Sequence, residues 1–199
     1  MKYSARKAED FILSKWSGGS TTQLFIYPTK ANYAARDFDF RISTATVEVE
    51  KSAFTALPGF SRKLMILDGE IEITHKHRFS KTVKKFEVES FEGDWETSSI
   101  GLCTDFNVMT NSHFKSELYP QVIYNGQHQK VRTLEDSNFL FIYLWQGKLL
   151  IQIDDDHFSI SERDLLVIQK PKDTKINIIA TKDSQIICTE IVAAKQHRL

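Results

Sequence analysis

A chain of 199 residues that is 41% hydrophobic and 12% aromatic, with Phe outnumbering Tyr and Trp together, can bury a substantial core, which excludes a disordered protein. Its 26 basic and 26 acidic residues cancel to a formal net charge of zero, so no global field gathers nucleic acid or an anionic membrane, and a charged ligand must be recognised locally. The opening MKYSARKAEDFILSKW lacks the apolar stretch and small-residue cleavage site of a secretory signal, and no apolar run reaches the length of a membrane span; the expected location is cytoplasmic.

After residue 15 helical periodicity is nearly absent, and short apolar runs recur between Gly, Asp, Asn and Pro. The alternation predicts strands near 22–28, 39–48, 62–69, 70–75, 84–92, 97–101 and 103–110. A second series is predicted near 119–125, 138–147, 148–154, 157–162, 164–170, 175–181 and 184–191. Two stretches match in register, RKLMILDGEIEIT (62–74) and LFIYLWQGKLLIQI (140–153). Each reads as an apolar strand, a turn closed by Gly69 or Gly147, and an alternating second strand. Each is followed by a further hairpin-like pair, FEVESFEGD and FSISERDLLVI. A duplicated β-barrel unit accounts for the pattern, one barrel over 1–118 and the other over 119–199. Strand spacing alone does not separate barrels from sandwiches.

Within the first copy, LDGEIEITHKH (67–77) places His75 and His77 after Gly69, the opening of a cupin metal signature. Two histidines on one strand face supply half a ligand set, and a metal-dependent dioxygenase would be built on them. The following RFSK offers no carboxylate, and Lys76 and Arg78 oppose a cation. The pair is therefore expected at an exposed hairpin end, with no metal. In cupins the hairpin glycine follows the ligands, so counting back from Gly69 puts Arg62 at the Glu ligand position and Leu57 and Thr55 at the His positions. Thr, Leu and Arg cannot hold a transition metal, but a buried arginine can grip a carboxylate in a bidentate fork; at a strand end it is instead a surface residue. Cys103 and Cys188 lie far apart in apolar surroundings and are expected as buried thiols; a nucleophilic Cys103 served by His113 would lack a third, orienting group.

Five blocks together resemble the HutD/Ves family of bicupins: WSGGSTTQL (16–24), FDFRISTATV (38–47), FTALPGFSRKLMILDG (54–69), FEGD (91–94) and DFNVM (105–109). They cover most of the first half of the chain, and the second half carries only the general cupin rhythm. The resemblance implies a mostly β fold of two jelly-roll-like cupin barrels and no catalytic metal or other cofactor. It also implies a small carboxylate ligand, such as urocanate or formylglutamate, held by Arg62 of PGFSR, and an accessory or regulatory role in histidine utilisation or stress response. Two departures stand out: two glycines follow Trp16 where related chains often have three, and THKHRFSKTVKKFEVES is unusually basic.

The other blocks fit the same pocket. Gly18 and Gly19 would let backbone N–H groups approach a ligand while Ser20, Thr21 and Thr22 add hydroxyls; the plain alternative is a turn into the first strand. Trp16 walls an apolar part of the ligand or anchors its loop. Arg41 alternates with Asp39 and Ser43, opposite Phe38, Phe40 and Ile42, as a second inward cation or, more commonly for such a residue, a barrel-wall salt bridge to Asp105. Asn107 completes the polar ring. The rival function is a cupin isomerase or hydrolase on a small anionic metabolite, with arginines as electrophilic groups and an acid such as Asp105 as base. Open strand edges admit a homodimer.

Overall fold

The structure, a computed structural model, describes residues 3–131 and 133–195, apart from the side chain of Asp173. Strands in chain order are β1 (Tyr3–Arg6), β2 (Ile12–Trp16), β3 (Gly19–Tyr27), β4 (Phe40–Val47), β5 (Lys51–Ala53), β6 (Phe60–Gly69), β7 (Ile71–His75), β8 (Phe79–Val83) and β9 (Val88–Glu92). They continue as β10 (Thr97–Ile100), β11 (Cys103–Asn111), β12 (Phe114–Ile123), β13 (His128–Lys130), β14 (Ser137–Ile153), β15 (Asp156–Ser161), β16 (Leu165–Gln169) and β17 (Ile176–Ala193). Among the described residues there is no α-helix, and no helix long and apolar enough to cross a membrane.

The chain divides into two compact units, Phe11–Lys115, and Met1–Asp10 with Ser116–Leu199. Each is a cupin-type β-barrel. The N-terminal strand goes to the second unit because β1 pairs antiparallel with β16, a partner that no local pattern in residues 3–6 announces. The boundary between the units falls inside β12.

In the first unit a six-stranded sheet in the order β2-β3-β4-β11-β6-β9 faces a four-stranded sheet in the order β5-β10-β7-β8. Their shared core takes Leu64 and Ile66 from β6, Phe91 from β9 and Cys103 from β11 on one side, and Ile71, Ile73 and Val83 from β7 and β8 on the other. The second unit is one seven-stranded sheet whose long strands β14 and β17 pair with each other almost throughout. Its core is aliphatic, with Leu140, Ile142, Leu144, Leu149, Ile151 and Ile153 of β14 all inward.

The expected hairpins at Gly69 and Gly147 are corrected by these pairings. β6 and β7 do not pair; the chain leaves the six-stranded sheet at Gly69 and enters the other. Gly147 sits inside β14, where register shifts carry the ladder around a corner without breaking it. Likewise the strands of 157–170 do not pair with each other, since β15 and β16 pair with opposite ends of β14.

The duplication holds at the level of side chains. Inward residues 62, 64 and 66 resume at 71, 73 and 75 after Gly69, and 140, 142 and 144 resume at 149, 151 and 153 after Gly147, a constant spacing of 78 (147 − 69). By the same pairing, Ile66, Leu64 and Arg62 face Asp105, Asn107 and Met109 of β11, while Leu144, Ile142 and Leu140 face Ile186, Cys188 and Glu190 of β17. Where the second barrel carries Leu140, Ile186 and Cys188, the first therefore carries Arg62, Asp105 and Asn107. The second barrel is filled at those positions, and the first is polar.

Candidate functional site

Three cross-strand rows build the inner face of the first barrel. Arg41, Met109 and Arg62 lie opposite one another on β4, β11 and β6; Ser43, Asn107 and Leu64 follow two residues along, then Ala45, Asp105 and Ile66. β3 adds Ile26, Gln23 and Thr21 to these rows, the step from 23 to 26 being opened by a register shift between Gln23 and Phe25. Because side chains alternate along each strand, the polar members of all three rows point to one side. They line a cavity of 680 Å³, whose wall also includes Trp16 of β2, Tyr33 of the loop before β4, and Phe54 and Thr55 after β5.

Arg62 is 5% exposed, Asp105 4%, and Arg41 and Asn107 6% each. Arg41 is held: its Nε donates to Gln23 Oε1 at 2.9 Å, its Nη1 donates to Ser43 Oγ at 3.1 Å, and its guanidinium lies 4.3 Å from the Tyr33 ring centroid. Arg62 is not comparably satisfied. Its Nη1 reaches only the Thr55 carbonyl at 3.5 Å, its Nε has no partner, and the guanidinium lies 5.1 Å from each of the Phe54 and Phe91 rings. Among the described residues no carboxylate comes within salt-bridge distance of it. Burial pulls the Arg62 pKa down to about 10, with Tyr33 and Asp105 opposing, so it stays a cation at neutral pH. Burial pushes the Asp105 carboxyl up to about 7, Arg62 drawing it back.

Five of the residues proposed from sequence, Arg62, Arg41, Trp16, Thr21 and Asn107, meet at this cavity. Gly18, Gly19 and Ser20 do not line it. Trp16 pairs with Gly19 across a tight β2–β3 turn, the indole covers Gly18, Gly19 packs on the Thr46 carbonyl, and Ser20 points away from Thr21 by strand alternation. The plain turn is what these residues build. The expected bridge from Arg41 to Asp105 is also absent, since Gln23 and Ser43 take the guanidinium and Asp105 Oδ1 has no partner. Counting back from Gly69 places Thr55 and Arg62 on the wall, whereas Leu57 joins the apolar cluster of Phe38, Phe60 and Met109. Ser43 lies on the face that alternation with Arg41 gives it, and Gln23 is the residue that alternation with Thr21 adds to the wall; Tyr33, in a loop, carries no such signal in the sequence.

The histidine pair divides. His77 is exposed in a turn, but His75 is only 1% exposed, because it continues the inward series Ile71, Ile73 on β7. Its Nδ1 is 2.8 Å from Thr97 Oγ1 and its Nε2 3.3 Å from Glu89 Oε1, inside a shell of Phe79, Phe91 and Trp95. Burial lowers its pKa against the pull of Glu89, so it stays neutral at physiological pH. Among the described residues no three His, Cys, Asp or Glu side chains converge as a metal set. His75→Ala should destabilise the protein by about 2 kcal/mol in urea denaturation, from two lost hydrogen bonds and lost packing, without changing ligand affinity; a change in affinity at unchanged stability would place it in the site instead. Cys103 is buried and its thiol is pushed up to about 12, which removes it as a nucleophile at neutral pH, and His113 stands beyond the opposite end of β11.

Comparison with known proteins gives a consistent placement. A family model described as HutD matches residues 8–187. Protein Ves of Escherichia fergusonii is 30% identical over 97 residues, which are 46% of this chain and 48% of Ves, so the match spans about half the length of that relative. The crystal structure of PA5104 from Pseudomonas aeruginosa PAO1, a conserved protein of unknown function, superposes with a TM-score of 0.82 at 17% identity, over 97% of this chain and 100% of the other. HutD from Pseudomonas fluorescens SBW25, solved in a formate condition, gives 0.73 at 17% identity, over 96% and 99% of the two chains.

Proposed function

The chain belongs to the HutD family, and from that premise we propose that its first barrel binds a small carboxylate metabolite such as urocanate or formylglutamate, without a metal, as an accessory or regulatory protein of histidine utilisation or stress response. One observation carries this reading: Arg62 is a buried cation with an unpartnered Nε and no counter-ion among the described residues. A guanidinium taken out of water is costly unless an anion pairs with it, and a carboxylate offers the matching two-oxygen fork. Arg41, two strands away in the same row, adds a second positive charge. The cavity is large enough for a metabolite, and Trp16, Tyr33 and Phe54 give its wall an aromatic character.

The expected result is that urocanate, formylglutamate or a related dicarboxylate raises the melting temperature of the wild type, and that Arg62→Ala weakens the same ligand roughly 10- to 100-fold. Equal stabilisation of both proteins by every acid tried removes Arg62 as the anchor. One observation favours the rival isomerase or hydrolase reading, the Asp105 carboxyl pushed up to about 7, the range in which a general base works well. Turnover of a stabilising acid, followed by NMR, decides for the enzyme; its recovery unchanged decides for the binding protein.

A further inference from the structure

Resting on the carboxylate reading of this cavity, we infer that Asp105 and Asn107 form its second pole and select ligands that carry an N–H donor several bonds from the carboxylate. Asp105 Oδ1 and Asn107 Oδ1 are both buried acceptors without a partner, on the same inner face of β11. Buried acceptors of this kind are rare unless something outside the chain satisfies them. Their positions are graded along the strand. Arg41 and Arg62 share the first row, Asn107 lies one row on and Asp105 two rows on, which is roughly 7 and 13 Å along the sheet between backbone positions. The two guanidinium cations therefore enter the cavity from one row and the two unpartnered acceptors from the rows beyond it. A plain carboxylic acid would satisfy Arg62 and leave both acceptors bare.

The second barrel provides the internal control. Identical strand pairing puts Ile186 where Asp105 stands and Cys188 where Asn107 stands, and both belong to an aliphatic core. The fold at this position thus accepts an apolar side chain. Packing does not require the acid or the amide in the first barrel, and Arg41, held by Gln23 and Ser43, does not use them. A site with a buried acceptor aimed at a donor rejects analogues that lack the donor far more strongly than an apolar wall does.

Titration calorimetry at constant pH with two matched pairs tests this: urocanate against 3-(2-furyl)acrylate, which has the same outline without the N–H, and formylglutamate against the O-formyl ester of 2-hydroxyglutarate, in which an ester oxygen replaces the N–H. In the wild type the N–H member of a binding pair should be at least tenfold tighter. Asp105→Asn should cut that ratio severalfold, and Asp105→Ile with Asn107→Cys, which copies the second barrel at both positions, should bring it close to one; if the double variant does not fold, the asparagine variant carries the comparison. A wild-type ratio near one, with Arg62→Ala still weakening both members, overturns the donor pole and leaves the carboxylate site standing. A high ratio unchanged in the Asp105 variants overturns the role given to Asp105. No binding of any of the four acids overturns both readings.

Discussion

Gly69→Ala should destabilise the protein by about 3–5 kcal/mol, whereas Gly59→Ala should cost only about 1–2 kcal/mol. Both glycines have positive φ, +79° and +83°, so both substitutions meet the left-handed backbone penalty. They differ in their surroundings. A Cβ at Gly59 would meet nothing within 4 Å, while one at Gly69 would lie 2.4 Å from the Leu102 carbonyl oxygen and 3.2 Å from Cys103 Cα. Those atoms are backbone and cannot swing aside. Moving them would shift the start of β11, which pairs with Gly69 at Cys103 and carries Asp105 and Asn107 into the cavity. Urea denaturation of the two variants separates the contributions: the Gly59 variant reports the dihedral alone, and the excess in the Gly69 variant reports the close approach. Equal losses would show that the corner yields, and that Gly69 matters only for its φ. The same argument applies to Gly147, where a Cβ would lie 2.6 Å from the Asp183 carbonyl oxygen.

That glycine also marks how far the sequence could be read. Period-two alternation located most strands, and the repeat around Gly69 and Gly147 disclosed the duplication. Alternation records which residues face inward but not which strand lies alongside, so a corner between two sheets and a tight hairpin look alike. β1 and β2 escaped for a different reason. They are short, and all five residues of β2 are exposed, so no buried face imposed a pattern on them. His75 belongs to the inward rhythm Ile71, Ile73, His75, which the flanking charges of Lys76 and Arg78 mask in the sequence. Arg62 was legible through the register set by Gly69 and through its block resemblance. The polar partners around it were less so, since Gln23 is brought to Arg41 by an irregularity between β3 and β4 that no residue type announces.

The largest functional consequence falls on Asp105, where the structure keeps an acid that burial opposes. Its pKa rises from 3.8 to about 7 in the folded chain. The folded state therefore binds more protons than the unfolded state between those values, and stability falls as pH rises through that window, becoming level above it. A rise of that size corresponds to about 4 kcal/mol of stability lost by pH 8, with Arg62 already drawing the carboxyl down. Asp105→Asn removes the ionisation while keeping the shape. It should match the wild type at pH 4 and exceed it by about 2–4 kcal/mol at pH 8, read as the difference between two urea denaturation series so that other titrating groups cancel. A difference that does not change with pH would mean that water reaches the carboxylate and that its burial costs nothing. If the gain appears, the natural chain is forgoing stability that the second barrel, with Ile186 at the matching position, does not forgo. Such a sacrifice persists where an acceptor is needed for a ligand. Saturating urocanate should then narrow the gap between the two proteins at pH 8, because an N–H donor stabilises the ionised Asp105 and does much less for an asparagine.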